Sequence, residues 1–149
     1  MAQGRSVTAI YCDDIRQEVG NKVSYMGTYT GLLLVASLPA TIPKLMVAVH
    51  VFTPQEQPFK SLKIRLTKTD ELLSETQIPD ETLDSQAIVP VADLGDEVSI
   101  AFSFIFAFTP LPVTELSKIR IRVQTESEEL KGPALVIKGM EASSAKPSA

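Results

Sequence analysis

The sequence predicts an all-β fold, an antiparallel β-sandwich of about eight to nine strands with little or no helix. Three observations predict it. Apolar residues alternate with small or polar ones at a period of two over most of the chain. Prolines fall between or at the margins of the alternating stretches, where the missing ladder donor does no harm. No run long enough for a helix shows a 3.6-residue period.

Taken in order, the candidate segments from which these strands are drawn are residues 7–12, 22–29, 32–36, 45–52, 62–66, 72–78, 87–91, 98–108, 118–124 and 134–138. Residues 45–52 (Leu-Met-Val-Ala-Val-His-Val-Phe) are apolar on both faces and rich in Val, the composition of a central strand. Leu62, Ile64 and Leu66 alternate with Lys63, Arg65 and Thr67, and Ile119, Ile121 and Val123 with Lys118, Arg120, Arg122 and Gln124, which gives two strands with one wet face. The clearest strand is 98–108. Val98, Ile100, Phe102, Phe104, Phe106 and Phe108 form a bulky face, expected in the core and too large for the inside of a narrow barrel. Ser99, Ala101, Ser103, Ile105 and Ala107 form a flat face of mostly small residues. Gly20-Asn21 is a turn dipeptide that tolerates positive φ. Single helical turns are expected at most at residues 14–19 and 114–117.

The chain has 149 residues with 14 basic and 18 acidic side chains, a net charge of −4 and a pI near 5.0. One domain over residues 1–140 is expected, followed by a flexible C-terminal tail over 141–149, which is small, polar and without apolar anchors. The single Cys excludes an internal disulfide, and with the single His it excludes a structural Cys/His zinc site. The acidic balance disfavours nucleic acid as a partner. The N-terminus lacks a secretory apolar core, and the longest apolar windows, 31–38 and 98–108, fall short of the ~18 residues needed to span a bilayer. These features lead to the expectation of a cytoplasmic protein with no membrane partner.

The stretch Cys12-Asp-Asp-Ile-Arg-Gln-Glu-Val-Gly-Asn-Lys-Val-Ser-Tyr-Met-Gly27-Thr-Tyr-Thr-Gly31, with Leu38-Pro-Ala-Thr-Ile-Pro-Lys-Leu45 after it, resembles a family of uncharacterised β-sandwich proteins of bacteria and their phages. Ile88-Val-Pro-Val-Ala-Asp-Leu94 adds a weaker match. The resemblance implies a compact sandwich over most of residues 7–140 and carries no assigned activity. Read from the residues themselves, Asp13 and Asp14 stand where the first strand ends, as caps of backbone amides in a structural corner, with Arg16 pairing with an acid. Gly27 and Gly31 flank Thr28-Tyr29-Thr30 and mark a bulge or a close backbone approach.

Candidate chemistry is sparse. His50, the one imidazole, lies mid-strand on the face of Met46, Ala48 and Phe52, where a hydrogen-bonded structural role outweighs that of a catalytic base. Cys12 reads as a small buried hydrophobe. No catalytic residues, cofactor or resident metal are expected. Acids gather at four places, Asp13, Asp14 and Glu18 among them, and Ca²⁺ takes 6 to 8 oxygen ligands, so a calcium- or small-ligand-binding module using loop carboxylates is the alternative reading. Lys63, Arg65, Lys118, Arg120 and Arg122 would form a basic stripe if their strands share a sheet, but no aromatic residues interleave there to stack on bases. The small face of Ser99, Ala101, Ser103, Ile105 and Ala107 is the candidate protein interface, too apolar for plain solvent and too small to fill a core. The expected function is therefore a non-enzymatic protein-binding or assembly module of bacterial or phage origin, acting through a protein partner or self-association.

Overall fold

In the computed structural model the described residues are 4–85 and 99–140. They fold into twelve strands and one short helix: β1 (Ser6–Glu18), β2 (Lys22–Tyr29), β3 (Leu32–Val35), β4 (Ala40–Ile42), β5 (Leu45–Pro54), β6 (Leu62–Lys68), β7 (Glu71–Gln77), α1 (Asp80–Ser85), β8 (Ser99–Phe108), β9 (Leu111–Val113), β10 (Ser117–Thr125), β11 (Glu129–Lys131) and β12 (Leu135–Gly139). One sheet has the order β2-β1-β5-β8, a second β3-β12-β10-β6-β7 with β11 on β10, and a two-stranded ribbon joins β4 to β9. The all-β expectation holds, with a larger strand count than eight to nine. Three of the extra strands are only three residues long, too short to display a period. The sheets are also not wholly antiparallel, because β12 and β3 run parallel, with Leu32 opposite Val136 and Val35 opposite Gly139. The expected strand at 87–91, one of the four gatherings of acids (Asp93, Asp96 and Glu97), Val98 of the Phe face, and the tail at 141–149 lie outside the described residues.

The first strand does not end at Cys12. It continues through Asp13 and Asp14 to Glu18 and returns as β2, with Glu18 paired to Lys22 and Cys12 to Thr28. Gly20 and Asn21 form the turn with φ of 89° and 60°, a conformation that these two residues adopt at least cost. Neither expected helical turn forms. Residues 14–18 are strand, and Ser117 already belongs to β10. The helix instead starts after Pro79, whose carbonyl accepts from the amides of Thr82 and Leu83 at 3.0 and 3.1 Å, with Asp80 and Glu81 in the first turn.

The chain divides into two compact units, Met1–Ala9, Val49–Phe104 and Arg120–Pro133 in the first, Ile10–Ala48, Ile105–Ile119 and Ala134–Ala149 in the second. The core of the first is built from Val49 and Val51 of β5, Leu62, Ile64 and Leu66 of β6, and Ile121 and Val123 of β10, all fully buried. The core of the second takes Leu45 and Val47 of β5, Val113 of β9, Ile119 of β10, and Leu135 and Ile137 of β12. In both, every second residue of each strand is inward, as the alternation requires. The Phe face of β8 is buried only in part. Ile100 and Phe102 are inside, while Phe104, Phe106 and Phe108 are half-exposed.

The first unit holds a charged group at its centre. The Arg5 side chain has no solvent exposure; its Nε donates to Thr53 Oγ1 at 3.0 Å and its Nη2 donates to the carbonyls of Gln57 and Pro58 at 3.2 Å each. Nη2 also meets Glu126 Oε2 at 2.6 Å, and the guanidinium lies 4.6 Å from the ring centroid of Phe59. Phe59 in turn packs against Phe102 with centroids 5.8 Å apart. Glu126 is presented by a tight turn in which Thr125 Oγ1 accepts from the amides of Ser127 and Glu128. Its second oxygen, Oε1, accepts from the amide of Lys60 at 2.9 Å.

Burial alone would raise the Glu126 carboxyl, but the Lys60 amide and the Arg5 guanidinium outweigh it and hold the group at about 2 instead of 4.5. Between those values the unfolded chain binds more protons than the folded one, so this contribution is complete above 4.5 and is lost as pH falls toward 2. Glu126→Gln should remove that leg. Urea midpoints taken at about pH 6 and about pH 3 should differ more for the wild type than for the variant, and equal differences would show that the pair does not couple to folding.

Candidate functional site

Three places in the described structure combine accessible surface with unusual local chemistry: the edge of β8, a groove beside β3, and a cavity beside α1.

Strand β8 ends its sheet among the described residues, and its sequence, Ser-Ile-Ala-Phe-Ser-Phe-Ile-Phe-Ala-Phe, carries no charge over ten residues. Of the interface candidates, Ser103, Ile105 and Ala107 are exposed, Ile105 at 45%, whereas Ser99 and Ala101 are half-buried. His50 Nδ1 lies 2.9 Å from Ser103 Oγ and ties β5 to β8 in the first unit. Burial lowers the imidazole pKa, so the ring is neutral at neutral pH. A hydroxyl–imidazole pair is where nucleophilic catalysis starts. This one lines neither of the two cavities described below.

The other edges differ. β7 carries Glu71 and Glu75, which meet Lys68 at 3.3 Å, Arg65 at 3.2 Å and Lys63 at 3.8 Å. The expected basic stripe does share a sheet, since β10 neighbours β6, but these acids offset its Lys63 and Arg65. β2 begins with Lys22 and carries a left-handed glycine, Gly27, within it. Charges and irregularities of this kind discourage strand pairing.

In the second unit, the acids of β1 are taken up by neighbours. Tyr29 Oη donates to Asp13 Oδ1, and Lys44 Nζ donates to Asp14 Oδ1 at 2.8 Å. Asp14 Oδ1 also accepts from the Ile15 amide at 3.0 Å, the local backbone bond expected of it, but its ion pair is with Lys44, not Arg16. The hydrogen bond from Lys44 lowers the Asp14 pKa, while burial and the neighbouring Asp13 carboxylate push the Tyr29 phenol up to about 12, so Tyr29 stays a donor. Gly27 stands beneath Asp13 at φ 68°, and a Cβ there would lie 2.4 Å from Asp13 Oδ2. Glu18 closes β1 at the hairpin. Cys12 is fully buried and donates to the Asp14 carbonyl at 3.3 Å, with its thiol raised by burial. Among the described residues no three His, Cys, Asp or Glu side chains are grouped so as to hold a metal ion.

Beside these residues runs an open groove of about 380 Å³ lined by residues 33–35 of β3, residues 41–44, Asp13 and Tyr29. In the first unit a cavity of about 450 Å³ lies between α1 and β8, with Phe59, Ile100, Phe102 and Leu83 as its apolar wall and Asp80, Asp84 and Lys60 as its charged groups.

The Gly27 position gives a direct test. Gly27→Ala forces a side chain into a left-handed backbone and into Asp13, and should cost about 1–3 kcal/mol. Adding Asp13→Ala should recover only the steric part, a non-additivity readable from thermal melts of the four proteins. Strict additivity would mean that Asp13 does not lie over Gly27.

No curated protein and no solved structure matches the chain. The model of a family of unknown function, DUF6941, matches residues 7–138, a span that runs from the second residue of β1 to the penultimate residue of β12, and the chain belongs to that family.

Proposed function

We propose that the protein is a non-enzymatic assembly module of bacterial or phage origin, acting in the cytoplasm, in which β8 pairs with β8 of a second copy. The observation that carries this reading is the ten-residue uncharged edge. A strand of that length presents a row of backbone donors and acceptors, and proteins that must stay monomeric blunt such an edge with charge, proline or a bulge. β7 and β2 are blunted in this way. Antiparallel pairing of the same strand in two copies is self-complementary and closes as a twofold dimer. The exposed small side chains Ser103 and Ala107 let a neighbour approach closely, and a net charge of −4 opposes it weakly.

The test is mass in solution. Light scattering on the eluting wild-type protein should give twice the 16.2 kDa of the chain. Ile105→Lys and Ala107→Lys, both at exposed positions, should keep the circular dichroism of the wild type and elute as monomers. A wild type that stays monomeric at submillimolar concentration, or lysine variants that stay dimeric, would overturn the proposal.

A further inference from the structure

The groove beside β3 has the parts of a peptide site that is independent of the β8 edge. In a parallel ladder each strand turns alternate residues toward its neighbour. The Gly31 and Val35 carbonyls accept from the amides of Val136 of β12 and of Met140 just after it, at 3.0 and 2.8 Å, so both point inward. Leu32 and Leu34 therefore present their N–H and C=O groups to the other side, where β3 ends its sheet among the described residues. The groove touches residues 33, 34 and 35 together. Successive side chains of a strand point to opposite faces, so a cavity lined by three in a row lies along the strand edge rather than over one face.

The walls define what fits. Leu33, Leu34 and Ile42 are apolar, and Leu34 is 49% exposed. The Asp13 carboxylate also lines the groove, fixed by the Tyr29 hydroxyl and seated over the bare Cα of Gly27. Lys44 also lines the groove, but its charge is offset by Asp14 at 2.8 Å, so the surplus charge at the groove is that of Asp13. Both sequence stretches that stand out in the first third of the chain, 12–31 and 38–45, converge on this one place.

We infer that the β3 edge binds an extended segment of a partner protein as an added strand, with an apolar side chain against Leu34 and Ile42 and a Lys or Arg side chain at Asp13. Main-chain hydrogen bonds give such a mode its affinity, and the pocket and the acid give it selectivity.

The probe is the peptide acetyl-Val-Leu-Val-Lys-Thr-amide, titrated into the isotope-labelled full chain. The amides of Leu32, Leu34 and Lys44 should shift while those of β8 do not, which separates this site from the assembly edge. The same peptide with Glu in place of Lys should bind at least about tenfold more weakly, and Asp13→Asn should erase that preference without unfolding the protein, because Asn can still accept from Tyr29. Of two isomers N-methylated at adjacent residues, only the one whose donor faces β3 should lose binding. No shift in residues 32–35 at millimolar peptide, equal binding of the Lys and Glu peptides, or equal binding of the two isomers would each overturn the proposal.

Discussion

The first unit depends on one buried charge. Arg5 enters ahead of the first strand and finds every partner far along the chain, at Thr53, Gln57, Pro58, Phe59 and Glu126. A guanidinium without exposure costs several kcal/mol to desolvate, and acceptors at two of its three nitrogens offset that here, Nη1 being buried without a hydrogen-bond partner among the described residues. The fork supplies the geometry, with Nε to a hydroxyl, Nη2 to two carbonyls and a carboxylate, and the cation over an aromatic face. Removing one partner of such a pair typically costs about 3–5 kcal/mol, because the other charge is then left buried alone. The three residues Pro58, Phe59 and Lys60 are each held by this pair, through a carbonyl, a ring and an amide. They are also one wall of the cavity beside α1, so a residue at the start of the chain fixes a surface built by residues more than fifty positions later.

Charge is distributed unevenly over the sheet edges, and that unevenness organises the functional reading. β7 is dressed with a ladder of Lys, Arg and Glu, and β2 carries a left-handed glycine. β8 and β3 have no charged residue at all. Solubility would be served by treating all four alike. The contrast places the available backbone hydrogen bonds at two sites and withholds them at two others.

How much of this the sequence disclosed follows from the range of the interactions concerned. The period of two in β5, β6, β8 and β10 is local, and so is the turn chemistry of Gly20-Asn21; both were legible. The pairing of β3 with β12, about a hundred residues apart, and the three-residue strands β4, β9 and β11 exist only through tertiary contacts. Asp13 and Asp14 read as the end of a strand because acids are poor strand formers. In the fold Gly27 makes room for one and Lys44 binds the other, so the strand continues through both. Arg5 had no local signal beyond being a lone cation before an apolar run. The helix at Asp80–Ser85 did have one, a proline followed by two acids, which is a helix-start pattern. The alternation of β8 was legible, but the assignment of its Phe face to the core holds only at Ile100 and Phe102; Phe104, Phe106 and Phe108 are half-exposed and Ser99 and Ala101 half-buried, since alternation reports which way a side chain points and not what covers it.

The two uncharged edges differ in length, and the difference decides what each can hold. Association costs an estimated 4–15 kcal/mol before any contact is counted, and a hydrogen bond exchanged with water returns only about 0.5–1.5 kcal/mol net. Ten residues of β8 turn about five outward, and two copies pairing this strand add the burial of Ile105 and its neighbours on the same face. That edge can sustain a symmetric contact on its own strength. Four residues of β3 turn only Leu32 and Leu34 outward, and the handful of hydrogen bonds they offer cannot meet the cost of association. A partner on β3 must draw the balance from side chains, which is why the apolar wall at Leu34 and Ile42 and the carboxylate at Asp13 matter there.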